Sequence, residues 1–149
     1  MKKLNYFFLL IPFLFLSCSK DSTTSETPAT YSILGAWKTK SSVLNGVEIF
    51  GDTNEIKSEW YYFNPDGSLS VQSYTDANFG NLFSYSTGTY TIPNISTINV
   101  SVNQYLSSGT LYYTNNLSCE VQLINATQLH VKILNYPSAN DVYIKKFIR

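Results

Sequence analysis

Between residues 36 and 148 the chain alternates between apolar and polar side chains in one short run after another. Ser68-Leu69-Ser70-Val71-Gln72 and Thr97-Ile98-Asn99-Val100-Ser101-Val102 are the cleanest examples. A period of two belongs to an extended strand with one dry face, and no stretch sustains the period of a helix. Turn chemistry separates the runs at roughly 8–12-residue spacing, as in all-β sandwiches and barrels. Asn45-Gly46 suits a tight hairpin because both residues tolerate positive φ. In Asn64-Pro65-Asp66-Gly67, Pro65 pre-sets φ for the first central position and Gly67 can take positive φ at the end. Asn125-Ala126-Thr127 and Pro137-Ser138-Ala139-Asn140 punctuate later runs. Only 13% of residues are charged, against roughly 25% in an average soluble chain. Tyr and Phe dominate the aromatics, which suits strands better than surface helices.

The expected strands are 36–44, 47–50, 59–63, 68–74, 82–92, 97–102, 110–114, 118–124, 128–134 and 141–148. Gly88 is expected at a bend or bulge, and Asn115-Asn116 at a turn. About 8–10 strands joined by short turns predict an all-β fold, a small up-and-down antiparallel barrel whose closure removes exposed strand edges.

The front of the chain is of another kind. Lys2 and Lys3 precede an apolar run, residues 6–16, with the length of a signal-peptide core. That run falls short of the roughly 20 apolar residues that span a bilayer. It ends in Phe15-Leu16-Ser17-Cys18, which resembles the lipobox of bacterial lipoproteins, with Phe15 in place of the usual Leu. The resemblance implies that residues 1–17 are a lipoprotein signal peptide and that Cys18 becomes the lipidated first residue. Acyl chains would then hold the protein to a membrane at about 0.8 kcal/mol per buried CH₂. Residues 18–30, rich in Ser and Thr and without apolar periodicity, read as a flexible linker, leaving 31–149 as one domain. Ser19-Lys20-Asp21 resembles export tags that carry lipoproteins to the cell surface. The expected location is the bacterial outer membrane, lipid-anchored and facing either the periplasm or the surface.

Losing Lys2 and Lys3 leaves a slight acidic excess and no basic patch, which argues against nucleic acid as a partner. With Cys18 lipidated, Cys119 is the one remaining thiol, and no intrachain disulfide can form.

Gly35-Ala36-Trp37 resembles the Gly-x-Trp signature of lipocalins and of lipocalin-like bacterial lipoproteins. Tyr61-Tyr62-Phe63-Asn64-Pro65-Asp66-Gly67-Ser68, Gly88-Thr89-Tyr90-Thr91-Ile92 and Leu129-His130-Val131 are similar to the hairpin, middle-strand and late-strand motifs of that family. The resemblance covers residues 33–148. It implies a lipocalin-like barrel in which Gly35, Trp37, Asp66 and Gly67 are structural, with Trp37 plugging one end. It further implies that a basic residue packs over Trp37, the candidates being Lys145, Lys146 and Arg149. The family's Thr-Asp-Tyr motif and C-terminal helix are missing.

Candidate chemistry is sparse. Alternation places the single histidine, His130, opposite Leu129 and Val131, on the solvent face. One His and one Cys are too few for a zinc site, so neither metal nor cofactor is expected. Cys119 alternates with Val121 and Leu123 and reads as a small apolar core residue. Glu55 and Glu59 sit in or beside a polar loop and read as solvated surface rather than as a catalytic pair. No catalytic residue is assigned and the chain is read as a non-enzyme.

The aromatic strands are the suggestive feature. An eight-stranded barrel can be filled by side chains or hold one small ligand. Trp60, Tyr62 and Tyr90 are the expected lining residues for a small apolar or amphipathic molecule. The alternative is an envelope module that binds another protein through the barrel exterior.

Overall fold

The computed structural model describes residues 32–50 and 56–149. The expected signal peptide, the linker with Cys18, and Glu55 lie outside the described residues. Nine strands follow one another: β1 (Gly35–Leu44), β2 (Val47–Glu48), β3 (Ser58–Phe63), β4 (Ser68–Tyr74), β5 (Leu82–Asn94), β6 (Thr97–Leu106), β7 (Leu111–Ile124), β8 (Gln128–Leu134) and β9 (Tyr143–Ile148). Each of β3 to β8 pairs antiparallel with the next, β1 pairs with β3, and β9 returns to β1. The result is a closed, eight-stranded up-and-down barrel, with β2 a short extra strand beside the end of β1. The all-β barrel expected from the alternation is the observed fold.

Local chemistry explains the tight corners. Asn45 and Gly46 both take positive φ, 51° and 84°, and close the β1–β2 hairpin. The β3–β4 turn is a type I turn followed by a left-handed glycine. Gly67 N–H donates to the Asn64 carbonyl at 3.1 Å, Gly67 has φ 81°, and Asn64 N–H bridges to the Ser68 carbonyl at 3.0 Å. Asp66 secures the exit by accepting a hydrogen bond from Ser68 N–H at 2.8 Å.

Two expectations about the strands need correcting. Residues 110–114 and 118–124 are not separate strands: β7 runs straight through Asn115 and Asn116, which pair with Val102 and Ser101 of β6. The long partner strand overrides the turn preference of the two asparagines by pairing their backbone groups. Gly88 marks no bulge, since the register runs unbroken through it on both sides. Its role is close approach: a Cβ there would lie 2.0 Å from the Ser101 carbonyl oxygen.

The core lies inside the barrel. Trp37, Phe63, Leu69, Val71, Ile98, Cys119, Leu129, Val131, Ile133 and Phe147 are buried there. Trp37 is fully buried, and its indole N–H donates to the Ile33 carbonyl at 2.6 Å. The Arg149 guanidinium sits 4.0 Å from the centre of the Trp37 ring system and donates to the carbonyls of Ser32 (2.9 Å) and Leu34. Of the three basic candidates, Arg149 is therefore the one over the tryptophan. Cation–π attraction and carbonyl capture close this end together.

Candidate functional site

Turns alternate between the two ends of an up-and-down barrel, so the end opposite Trp37 gathers the β1–β2, β4–β5, β6–β7 and β8–β9 connections. Between that mouth and the Trp37 plug lies an interior cavity of about 260 Å³. Its walls are mostly apolar: Phe63, Leu69, Val71, Ile98, Val100, Val102, Leu117, Val131, Ile133 and Phe147. A cavity of about 150 Å³ accommodates benzene, so this one has room for on the order of ten non-hydrogen atoms. A second concavity opens at the mouth, lined by Ser42, Ile49, Phe50, Ile56, Glu59, Phe83, Tyr143 and Lys145. Ile56, Glu59, Tyr143 and Lys145 line both spaces.

The shared neck carries the only ion pair among the described residues. Lys145 Nζ lies 2.5 Å from Glu59 Oε2, and the two side chains are only 10% and 12% exposed. The ammonium also donates to the Tyr61 hydroxyl at 2.6 Å. Thr39 Oγ1 donates to Glu59 Oε2 at 2.9 Å, and Ser73 Oγ to Oε1 at a long 3.4 Å. Burial by itself would lower the lysine pKa, but the facing Glu59 charge and its hydrogen bond hold it well above the ordinary lysine range. Lys145 is thus a committed cation and a poor nucleophile. Burial, reinforced by the Glu59 charge, drives the Tyr61 phenol far up, so it stays protonated.

Nearby on the wall, Cys119 is buried as expected, and burial pushes its thiol up to about 11 despite the Lys145 charge. Such a thiol is inert near neutral pH. His130 stands on the outer face of β8, where burial and the charges of Lys146 and Lys40 lower its pKa. Among the described residues no three His, Cys, Asp or Glu side chains gather into a metal site.

The expected lining residues fare differently. Trp60 and Tyr62 are not cavity residues. Alternation along β3 turns Glu59, Tyr61 and Phe63 inward, and Trp60 and Tyr62 outward. The two outer rings stack with centroids 6.3 Å apart, and Trp60 meets Phe79 at 6.0 Å. Tyr74 packs edge-on against Phe79 at 5.3 Å, and Lys38 Nζ lies 5.2 Å from the Phe79 centroid. Tyr90 does point inward, but it belongs to the barrel wall towards the plugged end. Its ring abuts Phe63 edge-on at 5.1 Å, and its hydroxyl donates to the Asn64 carbonyl at 2.7 Å. Glu59 is no surface carboxylate: the strand phase carries it inside to meet Lys145. Sequence reasoning missed Glu59, Tyr61 and Lys145 as one group, because 84 residues separate the last two.

Comparison with protein-family models, with curated proteins and with solved structures returned no match.

Proposed function

We propose that this chain is a non-enzymatic bacterial lipoprotein, anchored to the outer membrane through Cys18, whose lipocalin-like barrel binds one small apolar or amphipathic molecule. The observation that carries the reading is the interior cavity of about 260 Å³, apolar over most of its walls, with polar groups at the neck it shares with the mouth and at Ser73, Ser86, Gln104, Tyr113 and Asn115. Binding pockets are typically concave and apolar with a few placed polar groups, and this one matches that description while falling just below the usual size range. A long acyl chain is too large for it; a compact molecule of about ten non-hydrogen atoms fits. The non-enzymatic reading rests on Glu59 and Lys145 being bound to each other and on the inert Cys119 thiol.

The test is native mass spectrometry on the full-length protein, purified gently from its host and compared with a solvent-stripped sample. A reproducible extra mass of small-molecule size, removed by stripping, is the expected result. Bare protein in both samples, together with no uptake of benzene on titration, overturns the reading.

A second reading has its own support in the outer aromatic cluster of Trp60, Tyr62, Tyr74 and Phe79 beside Lys38. Here the barrel exterior would dock another envelope protein, with Trp60 and Phe79 as aromatic anchors. A photo-crosslinker at Gln72 should then yield one discrete adduct that disappears in Trp60→Ala. A diffuse smear unaffected by that substitution rules it out.

A further inference from the structure

Resting on the ligand-binding reading, we infer that the Glu59–Lys145 neck, flanked by Tyr61 on the cavity side and Ser42 on the mouth side, makes the cavity selective for neutral molecules bearing an oxygen acceptor, and rejects carboxylates and amines of the same size. Charge comes first. Glu59 and Lys145 cancel within 2.5 Å, so the neck is polar yet has no net charge. A carboxylate entering it would be drawn to Lys145 and repelled by Glu59 beside it, while losing its water. An ammonium meets the mirror image. Neither ion recovers its desolvation cost, which amounts to several kcal/mol per charge.

Hydrogen-bond accounting then decides which neutral groups fit. An ammonium has three N–H donors. Lys145 uses one on Glu59 and one on Tyr61, so the third has no partner among the described residues. Tyr61 receives that bond as an acceptor, which leaves its own O–H free to donate. Ser42 is 2% exposed, lines the mouth beside the ion pair, and its hydroxyl has no hydrogen-bond partner among the described residues. Buried polar groups are nearly always paired, so an orphan hydroxyl on the wall of a cavity points to a missing partner. Lys145 at the neck, Tyr61 on its cavity side and Ser42 across from it on its mouth side offer unused donors, which call for an acceptor: a ketone, aldehyde, ester or alcohol oxygen. Its hydrocarbon body would lie in the mostly apolar cavity behind.

The experiment is a chemical-shift titration of the full-length protein near neutral pH with octan-2-one, octanoate, octylammonium and benzene. Octan-2-one should bind at least about tenfold more tightly than either ion. Ser42→Ala should weaken octan-2-one about two- to tenfold, the worth of one hydrogen bond. The same change should leave the unliganded protein as resistant to urea as before, or more so, because it removes an unpaired buried hydroxyl. Glu59→Gln should turn the preference towards octanoate by exposing the lysine charge. If that variant does not fold, the wild-type series and Ser42→Ala still decide. Ions binding as well as octan-2-one, or benzene binding while octan-2-one does not, would overturn the selectivity and leave the cavity reading standing. No binding of benzene or octan-2-one would overturn both.

Discussion

At one end of the barrel Trp37 lies beneath Arg149, and both donate to backbone carbonyls of residues 32–34. At the other end Glu59 and Lys145 neutralise each other but stand at the edge of open space, with donors unused on Lys145, Tyr61 and Ser42. Both ends place a basic residue of the C-terminal segment against a partner contributed by an early strand. The difference lies in what remains after pairing. The Trp37 end is sealed by a fully buried aromatic ring. The Glu59 end is satisfied in charge and incomplete in hydrogen bonds. A barrel closed this way has a structural floor and a rim with unused hydrogen-bond donors, and substitutions at the floor should cost stability without altering binding.

The largest effect belongs to the floor. Trp37→Ala should cost about 3–5 kcal/mol in urea unfolding, as expected for a buried indole replaced by a void. A near-neutral result would show that the plug does not organise the barrel.

Lys145→Met comes next. It leaves Glu59 buried without its cation, and because both side chains keep some solvent access the loss should be near the lower end of the range for breaking buried pairs, about 3 kcal/mol. The double variant Glu59→Gln/Lys145→Met should recover most of that stability, since removing both charges removes the desolvation cost as well. The same pair predicts an alkaline limit. The folded-state pKa of Lys145 is raised, so its contribution is complete below the unfolded lysine value of about 10.4 and is lost as pH rises through the folded one. Urea midpoints measured against pH should fall more steeply above that value in the wild type than in the double variant. Parallel curves would mean that the neck ion pair adds nothing to folding.

Arg149→Ala should cost about 0.5–1 kcal/mol, the scale of one exposed cation–π contact, with cavity binding unchanged. If it altered ligand affinity, the separation of the two ends would fail. The smallest effect is on the outer wall. The His130 pKa is lowered in the folded state, so stability should be complete above the unfolded histidine range and decline as pH falls through it. His130→Gln should flatten that acidic decline in thermal unfolding.

Much of the barrel was legible because its causes are local. The 68–74 and 128–134 runs emerge as β4 and β8 with the bounds that alternation suggests. The Asn45-Gly46 and Pro65-Asp66-Gly67 turns form where the positive-φ residues stand. The phase of β3 shows where local reading stopped. A four-residue turn at 64–67 would pair Phe63 with Ser68, setting Tyr62 and Trp60 opposite Leu69 and Val71 on the dry face. The left-handed Gly67 adds one residue, the observed partners are Phe63 and Leu69, and every β3 side chain changes sides. That single step sends the tryptophan to the outer wall and brings Glu59 inside.

The period of the strands, the chemistry of most turns and the up-and-down barrel that follows from them are written locally along the chain, because φ/ψ preference and side-chain alternation act over a few residues. Which basic residue covers Trp37, where Glu59 finds its cation, and the continuation of a strand through Asn115 and Asn116 were settled by long-range packing. Those outcomes depend on register and closure, which bring Lys38 to Ile148 and Trp60 to Gln72, and a one-residue slip in either would have built a different interior from the same residues.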